Sequence, residues 1–133
     1  MKLWKLSADV TLLHWQNSTY TEENMITKFD EMEWTANPEF KGGEGTFYNK
    51  AFFDGVNKMM QGRLPAGASI GYHKHEGNCE MIFIVKGEGK VLYDDEENPI
   101  KAGECHYCPE GHSHSLINNS DADLEFYAVV PKQ

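Results

Sequence analysis

From the glycine-rich segment Phe40-Lys41-Gly42-Gly43-Glu44-Gly45 to its end, the chain breaks into short β-like runs with too little sequence between them for a crossover helix. The runs span residues 46–53, 56–64, 69–75, 80–85, 90–93, 104–107, 113–118 and 124–130. Asp54-Gly55 is a two-residue hairpin signal, Pro65-Ala66-Gly67 and residues 94–99 read as turns, and residues 118–121 form a polar connection. Connections this short join antiparallel neighbours, so the pattern predicts an all-β barrel or double sheet. No internal repeat is present, which makes residues 46–133 one barrel and residues 1–45 an irregular extension packed on it. Within that extension, residues 10–15 read as a strand and Thr21 as the cap of a short helix over 21–24.

Composition sets the outer limits. A chain of 133 residues with 40% apolar content can bury one core without help. Its net charge is −9, and its single arginine, Arg63, leaves no basic stripe for a phosphate backbone, which argues against nucleic acid as a partner. No apolar run approaches the roughly 20 residues that span a bilayer, so no membrane partner is expected and the expected location is the cytoplasm. Cys79, Cys105 and Cys108 are an odd number and are expected to stay reduced. Cys105 and Cys108 share a strand and are three apart, so they should face opposite sides of their sheet.

The chemistry lies between residues 73 and 114. His73 and His75 are two apart on a predicted strand and therefore point to one face, where their ring nitrogens can converge. Glu80 opens the apolar run that follows, where a carboxylate is costly unless it is paired or coordinated. His114 comes after the turn Pro109-Glu110-Gly111, on a strand able to lie across from the first two. Taken singly, each reads better as a polar residue at a strand end, satisfied by solvent or a local hydrogen bond. Together they form a mixed N/O donor set suited to one divalent transition ion such as Mn, Fe, Ni or Zn.

The spacing around these four residues resembles the cupin superfamily. Its first motif is matched by Gly67, His73, His75, Glu80 and Gly87, and its second by Gly103, Pro109, Gly111, His114 and Asn118. The resemblance implies a jelly-roll barrel of six to eight strands with a metal ion inside its mouth, and pairing as a homodimer. Glu76-Gly77 and the run Gly111-His112-Ser113-His114-Ser115 are similar to small bacterial cupins of the oxalate decarboxylase-like kind. Those decarboxylases usually carry an arginine three residues before the first motif histidine; this chain has Ile70 there, and nothing near it in sequence neutralises a second carboxylate.

Alternation from Glu80 and His114 places Ile82, Ile84 and Leu116 on the inner face, and these are the expected pocket lining. Arg63 is a candidate for holding a substrate carboxylate, with a surface or rim position as the equal alternative. His112, two before His114, is a candidate acid–base group, with an exposed turn as the alternative. His14 and His106 have no partner at ligand spacing and are expected to be structural or exposed, and Lys74 should point outward. The expected function is a metal-dependent enzyme acting on a small oxygenated molecule, of dioxygenase, decarboxylase or isomerase type. The alternative is a metal-holding binding or sensor module without turnover.

Overall fold

The computed structural model of the chain describes residues 25–133. The strand expected at 10–15, the helix start at 21–24 and His14 lie outside the described residues. Among the described residues ten strands make two antiparallel sheets: β1 (Thr35–Pro38), β2 (Thr46–Phe53), β3 (Asn57–Leu64), β4 (His73–Lys74), β5 (Glu80–Lys86), β6 (Glu88–Tyr93), β7 (Glu96–Lys101), β8 (Cys105–Cys108), β9 (Ser113–Ile117) and β10 (Leu124–Pro131). One sheet runs β1-β2-β3-β10-β5-β8 and the other β4-β9-β6-β7. This is the all-β double sheet that the turn spacing predicts and the jelly-roll that the resemblance implies.

Two strands are additions to that reading. β1 lies in the region expected to be irregular and pairs with β2, placing Pro38 opposite Thr46 on the sheet edge, where a missing N–H costs no ladder bond. β7 occupies much of the expected 94–99 turn. Asp94 and Asp95 both take positive φ, 45° and 73°, and close a two-residue hairpin in which Tyr93 faces Glu96. β7 is an edge strand exposed at every position but Ile100, so it carries charges and a proline and lacks an apolar alternation.

The core lies between the sheets and is built from alternate residues of the longer strands: Phe47, Met60 and Leu64, Ile82 and Ile84, Val91, Leu116, and Leu124, Phe126 and Ala128. Phe47 and Phe126 stack with centroids 5.9 Å apart, and burying each side chain is worth about 1.5–3 kcal/mol. The backbone is fitted to these rings, since a Cβ on Gly62 would lie 2.3 Å from an atom of the Phe126 ring.

The motif residues outside the donor set hold turns. Gly67, Gly87, Gly103 and Gly111 all take positive φ. Asn118 is fully buried, and its side-chain amide donates to the Leu64 and Ala122 carbonyls while its Oδ1 accepts from the Ser120 N–H and hydroxyl, which closes the connection into β10. Pro109 and Gly111 shape the turn before β9, and the Gly111 N–H donates to the His75 carbonyl at 2.7 Å. That bond ties the two halves of the donor set together. All three cysteines are free, and Cys105 is exposed while Cys108 is buried, on opposite faces as expected.

Candidate metal centre

Pairing of β4 with β9 sets His73 directly opposite His114, and β5 presents Glu80 from the other sheet. The four donor groups of His73, His75, Glu80 and His114 lie within 4.8 Å of one another. His75 Nε2 and His114 Nε2 are 2.9 Å apart, and Glu80 Oε1 is 3.2 Å from the first and 3.0 Å from the second. Two donors at right angles, each about 2.1 Å from an ion, are about 3 Å apart, so the spacing is that of ligands around one small cation.

The outer nitrogens explain the aim of the rings. His73 Nδ1–H donates to the Gly71 carbonyl at 2.7 Å and His75 Nδ1–H to Asn78 Oδ1 at 2.6 Å, leaving Nε2 of each ring as the free donor atom. His114 Nδ1 lies 3.0 Å from His106 Nε2. Lone pairs and a carboxylate crowded at 3 Å repel unless a cation or extra protons stand among them. The titration of the metal-free cluster shows the same pressure. Burial would raise the Glu80 carboxyl, but hydrogen bonds from His114 and His75 outweigh it and hold it at about 2. The bond to Glu80 raises His75, whereas burial lowers His73 against the Gly71 carbonyl. The residues present therefore fit a divalent ion.

The other expectations divide. Ile82, Ile84 and Leu116 do face inward, but each is at most 2% exposed and belongs to the core beneath the donors instead of lining the cavity. Only the first residue of β5 reaches the mouth, so alternation gave the correct face and the wrong depth. The cavity, about 680 Å³, opens on the other side of the donors between Phe40, Phe47, Phe53, Met60, Ile70 and Val130. Arg63 is not in it. Its neighbours Gly62 and Leu64 point into the core, so Arg63 faces out, and its guanidinium lies 4.9 Å from the Trp34 ring and 4.6 Å from the Tyr48 ring.

His112 also turns away from the cavity. Its Nδ1 bonds Asp94 Oδ2 and lies 3.1 Å from the Tyr93 hydroxyl, and its ring stacks on Tyr93 at the end of the β6–β7 hairpin. His106 corrects the opposite expectation, because its partner is a donor residue. It stands opposite Ile82 across the β5–β8 ladder and reaches His114 through the sandwich. Burial, with the proximity of His114, lowers its imidazole to about 4, so it is neutral at pH 7. Asn78, Lys58 and Lys41 were also missed. Lys58 and Lys41 line the cavity, while Lys74 is exposed at its rim. Nothing in sequence distance links Lys58 to the donors; only the inward parity it shares with Met60 could have pointed to it.

Comparison with known proteins places this geometry among relatives. The cupin domain profile matches residues 60–130. The oxalate-binding protein of Thermotoga maritima is 33% identical over 112 residues, covering 80% of this chain and 93% of that protein. The crystal structure of a predicted oxalate decarboxylase from Thermotoga maritima superposes with a TM-score of 0.77 at 31% identity, over 82% of this chain and all of that one. A sugar phosphate isomerase of the cupin superfamily from Silicibacter pomeroyi, 23% identical, superposes with a TM-score of 0.60 over 65% of this chain and 60% of its own, a likeness of fold.

Proposed function

The chain belongs to the cupin family, and from that premise we propose that it is a metal-dependent enzyme acting on a small carboxylate or related oxyacid. The observation that carries this reading is the convergence of His75 Nε2, His114 Nε2 and Glu80 Oε1 about one point, with His73 beside them, at the wall of a cavity large enough for a small molecule. His73, His75, Glu80 and His114 would hold the ion. When bound, the ion supplies a Lewis acid that polarises a carboxylate, enolate or hydroxyl oxygen. The chain's own contribution is orientation: Gly71, Asn78 and His106 fix the three rings, and Phe40, Phe47, Phe53 and Val130 shield one flank of the cavity from water. The donor set suits Mn, Fe, Ni or Zn.

Metal analysis followed by a screen of small acids, with oxygen uptake and pH recorded, tests the proposal. One equivalent of metal with turnover of an acid supports it, and a metal-free protein inert toward every acid contradicts it. The name of the Thermotoga maritima relative, an oxalate-binding protein, favours a second reading in which the acid is held without turnover. Saturable acid binding with no product would decide for that one.

The free thiols suit a reducing compartment such as the cytoplasm. We also propose that two copies pair through the outer face of the six-stranded sheet. There Phe83 stands opposite Tyr127 and Met81 opposite Tyr107 in a continuous cross-strand patch, with Val85 beside it, and Phe83 is 46% exposed. Phe83→Asp should yield a monomer by sedimentation, and a monomeric wild type would rule the pairing out.

A further inference from the structure

The cavity carries more cations than carboxylates in an acidic protein, since only Glu76 and Glu80 among its lining residues are acidic. Of twelve Lys and Arg residues in a chain of net charge −9, four (Lys41, Lys58, Lys74 and Lys132) line this one cavity. Lys58 is the one the fold commits. It sits on β3 with the inward parity of Met60, and its cross-strand neighbours are Phe53 on β2 and Val130 on β10, both cavity-lining. Its stem is thus sheathed in apolar side chains on both sides, which is how a lysine carries its ammonium along apolar surface.

Among the described residues the Lys58 ammonium forms no hydrogen bond or ion pair, while its backbone belongs to the β2–β3 and β3–β10 ladders. Burial lowers its ammonium from the ordinary lysine range, and Glu80 and Lys41 act on it in opposite directions, which places it within electrostatic reach of the donor set. Lys41 comes from the turn Phe40–Gly42 and is fixed there by two contacts. The Gly71 N–H donates to the Phe40 carbonyl at 3.0 Å, and the Phe40 ring packs 5.2 Å from Phe47. Gly71 permits this approach, since a Cβ there would lie 1.9 Å from the Lys41 carbonyl oxygen.

A half-buried cation without a partner, set across a cavity from a metal-type donor cluster, is complementary to an anion held between them. We infer that Lys58 is a specificity-determining residue: it holds the second anionic group of a small dianionic acid whose first carboxylate lies at the His73, His75, Glu80 and His114 cluster, with Lys41 reinforcing the charge. The ligand class is a short dicarboxylate or an equivalent diacid, in preference to a monoacid of the same length. This rests on the metal-centre reading and deepens it.

Calorimetric titration of malonate and acetate into the metal-containing protein, with metal content measured on each sample, tests the inference. Lys58→Met, which keeps the stem and removes the charge, should retain metal and weaken malonate binding by about 10- to 100-fold, while acetate binding changes little. Lys58→Arg should restore the preference for malonate. Equal malonate affinity in wild type and Lys58→Met, with metal present in both, would overturn the role of Lys58 and leave the metal centre standing. A wild type without metal would overturn the metal-centre reading and this inference with it.

Discussion

Strand β8 and the turn before β9 each carry a histidine close in sequence to His114, and the fold uses them in opposite ways. His112 is two residues away, shares the expected inward parity, and spends its ring on Asp94 and Tyr93 at the rim. His106 is eight residues away on another sheet, and its Nε2 reaches the buried Nδ1 of His114. The difference teaches that sequence distance ranks neighbours along one strand, while support for a site built between two sheets arrives across the sandwich. A parity rule also holds only inside a strand; His112 precedes β9, and its backbone serves the turn, accepting from the His75 N–H.

Substitutions can break that comparison. Removing a donor should have the largest effect: His114→Ala loses stoichiometric metal and, at saturating metal, forfeits about 3–4 kcal/mol of ion-linked stability, read as a fall in Tm. Next, His106→Ala should keep the fold but weaken metal binding by roughly 10- to 100-fold in a competition titration, because His114 loses the group that orients it. Unchanged affinity would reduce His106 to a packing residue. His112→Ala should leave metal affinity untouched and cost no more than about 1 kcal/mol of stability, the worth of its exposed pairing with Asp94. A collapse of metal binding in that variant would invert the comparison.

A separate test is the pH dependence of the metal-free protein. His106 has its imidazole lowered to about 4 from an ordinary 6.5. A base with a lowered pKa stays neutral in the fold while the unfolded chain takes up protons, so its contribution is complete above pH 6.5 and is lost as the pH falls toward 4. Thermal denaturation over that window should show a shallower fall in His106→Asn than in wild type. Identical slopes would remove His106 from the titrating groups that matter.

The donor set was legible because four chemically distinctive side chains sit at fixed spacing between glycines and prolines whose backbone needs are local, as the positive φ of Gly111 beside the β9 turn shows. Seven of the main strands were legible through alternation and turn residues, whereas the run expected over 69–75 shortens to the two-residue β4, with Ser69 held only by an isolated bridge to Ile117. What escaped shares one cause. β1 and β7 are edge strands without a buried face to pattern them, and Ile82, Ile84 and Leu116 have the right face at a depth that only the packed barrel sets. Lys58 and His106 reach the cavity and the donor set from strands distant in sequence from the donors, and Arg63 was drawn into the cavity by its chemistry although its parity points it at Trp34 and Tyr48.

The central claim is that His73, His75, Glu80 and His114 hold one divalent ion. Elemental analysis of tag-free wild type beside Glu80→Ala tests it most directly. The account predicts close to one equivalent of a transition metal in the wild type and a small fraction of that in the variant; equal metal in both, or none in the wild type, would contradict it.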